Sequence, residues 1–372
     1  MIFFLGPLPP PVHGFAAINQ KMLECLGEKT EVVAFDNSPT ALGSRLPLPG
    51  RLGTLSRAAG RLWQMIAFLA LALVKRPDAM YVGLSGGLGQ LFDAVLIGVA
   101  RMSGARIYLH HHSFVYLNSP RRHNRWCFWL AGDAVHVCLC ADMAQKLEAI
   151  YGIPRHRLYV LSNAAFLEDR KQATMPRKAG GHGITLGFLS NIILEKGIVE
   201  FFDVIASLSQ QGYAVKGSVA GPVDPAIREQ FDALMRDHPE VEYVGPVYGE
   251  RKDAYLQGVD LLLFPTKYRN EAEPLTILEA MRERVPVLAA DRGCIRSLVG
   301  AQAALGCPTI DHFVEHASEA IKAILTGTTS LEALSEGAYR EYLRLRTLHQ
   351  ARLDRLLLNM TDRDQALERV QA

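Results

Sequence analysis

LLLFPTKYRNEAEPLTILEAMRERVPVLAADR, residues 261–292, is the stretch of the sequence that decides the fold. Its pattern predicts a buried strand over residues 259–264, a polar loop, a helix over residues 274–284 and a second apolar strand over residues 285–289. The loop carries Lys267, Arg269, Glu271 and Glu273. A strand, a loop, a helix and a second strand in this order form the repeating unit of a parallel α/β sheet.

The polar loop and the start of the helix are expected to face a ligand, because loops that leave the carboxyl ends of parallel strands line the ligand crevice. Glu271 and Glu279 are separated by seven residues. Their carboxylates can accept hydrogen bonds from sugar or ribose hydroxyls, and amides at a helix start suit an anion such as a diphosphate. The alternative is a solvated helix face, on which such a pair of glutamates binds nothing.

Residues 264–294, FPTKYRNEAEPLTILEAMRERVPVLAADRGC, resemble the glutamate-x7-glutamate signature of retaining GT-B-fold glycosyltransferases, glycosyltransferase family four in particular. The resemblance implies that Glu279 contacts the ribose of a nucleotide. It also implies that Glu271 lies beside the donor sugar and its phosphates. The donor site implied on this segment comprises Lys267, Arg269, Glu271, Ala272, Glu273, Leu275, Thr276 and Glu279.

A second part of the donor site is expected after the strand at residues 184–189. Residues 190–197, SNIILEKG, resemble the family's glycine-arginine and glutamate-lysine-glycine motif, and Lys196 at the strand-to-helix junction is the implied diphosphate ligand. The sequence departs from the family at Ser190 and Asn191, where glycine and arginine are usual. Lys267 or Arg269 could replace the missing cation; otherwise Lys196 carries the diphosphate largely alone.

The first half of the chain contributes a glycine and three histidines to the predicted site. Gly14 precedes a helix and has no Cβ, so its amide can approach an anion closely. His110, His111 and His112 follow a strand predicted at residues 105–109, and alternation places His110 and His112 on one face. The family has a histidine here beside the donor sugar, so we rank His110 and His112 above His111. We expect no metal, since the family's donor site does without one.

The length of 372 residues favours two domains, and the composition, 49% hydrophobic and 21% charged, is that of a folded protein. The net charge of +2 is uneven: residues 1–170 carry 17 Lys and Arg against 11 Asp and Glu. We predict an N-terminal acceptor-binding domain over residues 1–170, a linker at residues 168–183 and a nucleotide-sugar domain over residues 184–330. Residues 306–310 are predicted as its last strand. Residues 331–372 are predicted to be helical and to cross back to the first domain; a free coil is the alternative.

Six cysteines without a CxxC pair predict free thiols rather than a metal site, with Cys138 and Cys140 buried on one face of a strand. Free thiols and an opening without a signal-peptide pattern predict a cytoplasmic protein.

Residues 62–74 form the longest apolar stretch, shorter than the roughly 20 residues of a membrane span. Basic residues bracket it, so the helix at residues 51–76 is expected either to lie on the inner face of a membrane or to pack in the core with snorkelling basic ends. Residues 121–125 precede the aromatic run 126–129, a mixture that suits an acidic acceptor or a lipid head group. The nearly neutral net charge argues against nucleic acid as a partner.

The fold class predicted from these patterns and from the resemblance is α/β, with two Rossmann-like domains facing across a cleft (GT-B) and a C-terminal helix packing back on the first domain. The resemblance implies transfer of a hexose, with retention, from a nucleotide-diphosphate sugar to a hydroxyl of a glycan or lipid-linked acceptor, without a further cofactor. Two other interpretations stay open. One is a GT-B-fold epimerase or phosphorylase, although no pyridoxal lysine is recognised, and the other is a catalytically weak nucleotide-sugar-binding protein.

Overall fold

The computed structural model describes residues 1–10, 13–38, 50–168, 183–299 and 305–362. The chain divides into two compact units: unit 1 comprises Met1–Phe166 and Leu348–Ala372, and unit 2 comprises Leu167–Thr347. Most of the predicted linker, at residues 169–182, lies outside the described residues, as do the predicted loop at residues 39–49 and the end of the chain after residue 362.

Unit 1 is built on a parallel sheet of six strands in the order β2-β1-β3-β4-β5-β6. The strands are β1 (Ile2–Gly6), β2 (Val32–Asp36), β3 (Ala79–Leu84), β4 (Arg106–His111), β5 (Val135–Cys138) and β6 (Leu158–Val160). The helices are α1 (Gly14–Gly27), α2 (Gly50–Lys75), α3 (Gly89–Met102), α4 (Val115–Asn118), α5 (Arg122–Ala131) and α6 (Ala141–Tyr151). Strands β1 and β3 are buried along their whole length, as the continuous apolar runs of a parallel sheet require.

The strand order also fixes the side of the sheet on which each helix lies. The connections from β2 to β3, from β3 to β4 and from β4 to β5 all advance in one direction across the sheet. Right-handed crossovers therefore place α2, α3 and α5 on one face, where α3 packs between the other two. The connection from β1 to β2 runs the opposite way, so α1 lies on the other face.

Unit 2 is built on a second parallel sheet, in the order β11-β10-β7-β8-β9. Its strands are β7 (Ile184–Leu189), β8 (Val215–Ala220), β9 (Val241–Gly245), β10 (Leu261–Phe264) and β11 (Val287–Ala289). Its helices are α7 (Ile198–Gln210), α8 (Arg228–Asp237), α9 (Glu250–Gln257), α10 (Leu275–Arg282), α11 (Ile295–Val299) and α12 (Phe313–Leu325). Two parallel sheets with helices on their faces confirm the prediction of two Rossmann-like α/β units.

The last helix, α13 (Leu331–Thr361), begins in unit 2 and belongs to unit 1 from Leu348 onward. Within unit 1, the guanidinium of Arg106 donates to the carbonyls of Asn359 at 2.6 Å and Met360 at 3.1 Å, and so satisfies carbonyls that a helix end leaves without partners. The hydroxyl of Tyr108 donates to Oδ1 of Asn359 at 2.6 Å.

Two local predictions are wrong. The segment predicted as a last strand at residues 306–310 is not a strand; Gly306 has φ +70° and Pro308 has no amide hydrogen for a ladder. Strand β5 ends at Cys138, a buried free thiol, so Cys140, two residues further on, is no longer in the strand. Cys140 takes part in a disulfide and is not the free thiol expected, which removes it from the argument for a reducing compartment.

No helix in the described part of the chain has both the length and the apolar content that a membrane crossing requires. Helix α2 covers the predicted membrane-contact segment, and Phe68 and Ala72 on it are buried while Trp63 and Leu73 are exposed. It ends at Lys75, before Arg76 with φ +46° and Pro77, as the proline predicts.

Candidate functional site

Three loops meet at the carboxyl edge of the unit 2 sheet, and two glycines let them touch. A Cβ on Gly197, between β7 and α7, would lie 1.9 Å from the carbonyl oxygen of Pro265, which follows β10. A Cβ on Gly293, after β11, would lie 2.1 Å from the carbonyl oxygen of Glu271. Both glycines have positive φ, +83° and +53°. Only glycine accommodates this backbone and this approach together, so the sequence fixes the loop of residues 265–274 between its neighbours.

Lys196 and Glu271 form an ion pair at this edge. Nζ of Lys196 lies 2.5 Å from Oε2 of Glu271, and the hydroxyl of Thr266 donates to the same oxygen at 3.1 Å. The ammonium group also lies 5.1 Å from the ring centre of Tyr268. Glu271 is only 9% exposed, so this pair is largely removed from water, where a charge has a strong effect on a neighbouring anion. The two residues that the sequence assigned to the diphosphate and the donor sugar are thus brought together.

Glu279 lies in α10 and is paired with a lysine that the sequence reasoning did not single out. Nζ of Lys252, in the first turn of α9, lies 2.5 Å from Oε1 of Glu279. The two residues are 27 positions apart and on different helices, so only the packing of α9 beside α10 brings them together. The sequence contained one indication that Lys252 belongs to the site: it lies in the first turn of a helix that begins after Gly249.

Lys267, one of the two candidate replacements for the missing arginine, is paired with a glutamate other than Glu271. Nζ of Lys267 is bound to Oε1 of Glu200 on α7 at 2.7 Å, and its amide donates to the carbonyl of Glu195. Burial, followed by the charge of Glu200, raises the pKa of the nearby Asp203 carboxyl above its ordinary value. Arg269 and Asn191 are exposed.

Two helices begin at this edge with no side chain capping them. Helix α10 follows Pro274 and α7 follows Gly197, and neither cap residue accepts a hydrogen bond through its side chain. The amides of Leu275 and Thr276 therefore lie at the positive end of α10, with both residues partly exposed. Ala272 and Glu273, just before it, are buried. A lysine beside two such helix ends can bind a dianion of the size of a diphosphate.

The three histidines of unit 1 have different surroundings. Nδ1 of His111 is 2.8 Å from the hydroxyl of Tyr116, and its Nε2 is 3.0 Å from Nδ1 of His136, so both ring nitrogens have buried partners. Nδ1 of His110 lies 2.6 Å from the hydroxyl of Tyr81. His112 packs on His110 and on Phe15, with ring centres 4.0 Å and 4.6 Å apart.

Burial lowers the pKa of these imidazoles. It holds the pKa of His110 and of His111 well below the ordinary value, with the neighbouring histidines adding to the effect. It lowers the pKa of His112 and of His136 to about 3. All four rings are therefore neutral near pH 7. They can donate or accept a hydrogen bond there, but they do not supply a positive charge.

A further polar group, Asn19 on α1, lies against Gly6 and Gly83, which are in β1 and β3 of unit 1. A Cβ on Gly6 or Gly83 would come within 2.7 or 2.5 Å of the Asn19 amide, so the two glycines make room for it above β1 and β3. Its Nδ2 donates to the carbonyl of Pro7 at 3.1 Å. Among the described residues, Oδ1 of Asn19, Nε2 of His110 and Nε2 of His112 are buried atoms without a hydrogen-bond partner. They can receive a polar ligand or water.

Gly14, the predicted anion contact of unit 1, is exposed at the first position of α1. The preceding residue, His13, caps the helix: its Nδ1 accepts from the amide of Ala16 at 3.2 Å. In the described ranges, no three His, Cys, Asp or Glu side chains are grouped in a way that could hold a metal ion.

Part of the chain is similar to a known protein family. Residues 173–341 match the family model of Glycosyl transferases group 1. No curated protein matches the chain in sequence.

Several solved structures have the same fold. The apo form of the lipopolysaccharide outer core galactosyltransferase WaaB is 17% identical, with a TM-score of 0.69 over 95% of this chain and 99% of that one. Anabaena Alr3699/HepE in complex with UDP is 16% identical, with a TM-score of 0.70 and the same coverage. WaaG, a glycosyltransferase involved in lipopolysaccharide biosynthesis, is 13% identical, with a TM-score of 0.63 over 97% and 100% of the two chains. The chain therefore has a GT-B-like fold, and over residues 173–341 it is similar to the group 1 glycosyl transferases.

Proposed function

We propose that this protein is a retaining glycosyltransferase of family four. It would move a hexose from a nucleotide-diphosphate sugar to a hydroxyl of a glycan or lipid-linked acceptor in cell-surface polysaccharide synthesis. The observation that supports this most directly is the pair of Lys196 and Glu271, 2.5 Å apart, beside the uncapped start of α10. That combination suits a sugar attached to a diphosphate, because it offers a carboxylate to hydroxyls and positive charge to phosphates.

The chemical problem is the negative charge that develops on the leaving diphosphate. Fixed positive groups that face this charge stabilise the transition state more than the ground state. We assign this role to Lys196 and to the amides of Leu275 and Thr276. Lys267 and Arg269 are assigned to the outer part of the donor site, where the salt bridge of Lys267 to Glu200 would open or reorganise on binding.

The remaining assignments concern the nucleotide and the sugar. Glu279, held by Lys252, would accept hydrogen bonds from the ribose hydroxyls. In unit 1, the unpartnered Nε2 atoms of His110 and His112 would contact the donor sugar as neutral groups, whereas both nitrogens of His111 have partners within the protein. The proposal includes no metal and no further cofactor. Anabaena HepE has been solved with UDP and with UDP-glucose, which makes a uridine nucleotide the first donor to test.

The acceptor side of the proposal rests on the first half of the chain. Helix α2, at residues 50–75, exposes Trp63 and Leu73 and carries basic residues towards both ends. We propose that residues 51–76 contact the inner face of a membrane, where a lipid-linked acceptor would be found. Two of the similar structures are named as enzymes of lipopolysaccharide synthesis, which is compatible with such an acceptor.

A binding and hydrolysis experiment tests the proposal without knowledge of the acceptor. The purified protein is screened by thermal shift against UDP, GDP, ADP and TDP sugars, and the sugar released from the best donor is followed by NMR. We expect one nucleotide class to raise the Tm, and the first released hexose to have the anomeric configuration of the donor. The opposite anomer, or no shift with any donor, would contradict the proposal.

The second candidate is a nucleotide-sugar-binding protein of low activity, favoured by Asn191 where the family has arginine. It predicts a thermal shift without release of sugar. A GT-B-fold epimerase predicts conversion of one nucleotide sugar into another without an acceptor, which the same NMR spectra would reveal.

A further inference from the structure

Three helices of unit 1 expose an unusual amount of apolar surface. Of the sixteen large hydrophobic side chains that are exposed among the described residues, eleven lie on α2, on α3 with its cap residue, or on α5. Isolated exposed apolar side chains are ordinary, whereas a contiguous patch marks a surface that meets a partner. These helices are neighbours on one face of the sheet, so their outward sides form one continuous surface.

All three tryptophans of the chain belong to this surface. Trp63 on α2 is 72% exposed and Trp129 on α5 is 71% exposed, with Trp126 beside it. Tryptophan normally buries its large ring, and its combination of an apolar body and one N–H group suits the boundary between lipid and water. We call the exposed apolar side chains of α2, α3 and α5 the tryptophan face; they include the three tryptophans, Leu73, Leu88 and Met102.

The charge on the same helices has a single sign. Helices α2 and α5 contain no acidic residue, and the one acid of α3, Asp93, is completely buried. Lys75, Arg101, Arg122 and Arg125 are exposed on them. The nearest exposed acid in sequence is Asp133, just after α5, which pairs with Arg101 at 3.7 Å. Apolar side chains with basic residues and no exposed acid are the composition of an element that lies in the interface of an anionic bilayer.

We propose that the tryptophan face, contributed by all three helices, docks unit 1 on the surface of a negatively charged lipid bilayer. This extends the membrane contact proposed above from α2 to α3 and α5, and it rests on that proposal. Charge favours a membrane over a second copy of the chain, because two such faces would bring cations together and the three helices contain no exposed acid to pair with them.

Vesicle flotation with the full chain tests the inference. We expect the protein to float with vesicles that contain phosphatidylglycerol and to bind pure phosphatidylcholine vesicles much less. Trp129→Glu on α5 and Met102→Glu on α3 should each lower the lipid-bound fraction about as much as Trp63→Glu on α2, by roughly tenfold in partition coefficient. Lys75→Glu with Arg122→Glu should remove the preference for anionic lipid.

A matched pair of variants controls for nonspecific effects of the new charge. Leu69 on α2 and Leu358 on α13 are both 47% exposed on helices, so Leu69→Glu should reduce lipid binding and Leu358→Glu should not. Equal loss in both would overturn the inference, as would a wild-type protein that stays unbound. An effect confined to α2 variants would restrict the contact to residues 51–76 and overturn the three-helix face. A dimer that Trp129→Glu dissociates would identify the face as a self-interface. The flotation experiment contains no nucleotide, so its result does not depend on donor binding. Donor binding measured separately on the same protein therefore distinguishes a failure of membrane docking from a failure of the proposed transferase function.

Discussion

Nζ of Lys252 lies 2.5 Å from Oε1 of Glu279, although α9 and α10 are separate helices and only packing brings the two side chains together. Glu279 is the residue assigned to the ribose, so its orientation before the nucleotide arrives depends on Lys252. A carboxylate held in one rotamer by an ion pair loses less conformational freedom on binding than a free one.

Lys252→Met should therefore weaken nucleotide binding. We expect the Kd for the preferred nucleoside diphosphate, measured by calorimetry, to rise about 5- to 30-fold, equivalent to about 1–2 kcal/mol. Lys252→Arg should restore part of the affinity because it keeps the charge. The exposed Lys216→Met on β8 serves as the control and should leave the Kd unchanged. An unaltered Kd in Lys252→Met would remove Lys252 from the site.

Lys196→Met should impair turnover more than donor binding. If Lys196 stabilises charge that develops on the diphosphate, its loss should lower kcat by about 100-fold or more, with a smaller change in KM. Lys322→Met offers a matched control, because Lys322 also pairs with a glutamate in unit 2, at 2.6 Å, but Glu319 is exposed. Near-normal kcat in Lys196→Met, with Lys322→Met equally active, would contradict the assigned role.

Gly293→Ala should displace the loop that carries Glu271, because the new methyl group would lie 2.1 Å from a carbonyl oxygen and the residue has φ +53°. We expect a loss of about 2 kcal/mol or more in the free energy of unfolding and a weaker affinity for donor. Gly212→Ala separates the two causes, since Gly212 has φ +82° but open space around it. It should cost about 1 kcal/mol and leave donor affinity intact. Equal effects of the two variants would show that the close approach to Glu271 is unimportant.

Unit 1 should lose stability as the pH falls below about 6.5. His110, His111, His112 and His136 have lowered pKa values in the folded state, so below pH 6.5 the unfolded chain takes up protons that the folded protein does not. The free energy of unfolding should fall by about 1.4 kcal/mol per pH unit for each such histidine. For His112 and His136 this holds down to their folded pKa of about 3.

Tryptophan fluorescence reports unit 1 selectively, because all three tryptophans lie in it. Urea unfolding followed by fluorescence between about pH 7 and pH 5 should show a free energy of unfolding that decreases as the pH falls. His112→Asn should reduce the slope of that free energy against pH by the contribution of one histidine. His156→Asn, at an exposed position, should leave the slope unchanged. Stability independent of pH over this range would mean that the buried rings take up protons in the folded protein as readily as in the unfolded chain, and would contradict the lowered pKa values.

The strand and the helix of residues 261–292 were predicted from the sequence to within about two residues at each end. The strand expected at residues 259–264 is Leu261–Phe264, and the helix expected at residues 274–284 is Leu275–Arg282. Periodicity and proline positions act within a few residues, so they fix elements of this kind. They carry no information on Lys252, Glu200 or Asn19, whose contacts depend on how distant elements pack. The segment at residues 306–310 failed because Gly306 adopts φ +70° and Pro308 cannot donate a hydrogen bond to a ladder, and an apolar pattern does not register either constraint.

The hydrogen bonds of α13 have a consequence for biosynthesis. The amide of Ser162 donates to Nδ1 of His349, and the side chain of Tyr159 donates to the carbonyl of Arg352. Together with the contacts of Arg106 to Asn359 and Met360, these hydrogen bonds show that unit 1 includes the end of α13. The ribosome translates that end only after all of unit 2, so unit 1 stays incomplete until then. The half of the protein that is made first must therefore complete its folding last, and a chain that stalls before residue 348 would present an incompletely paired sheet edge and uncovered apolar surface to chaperones and proteases.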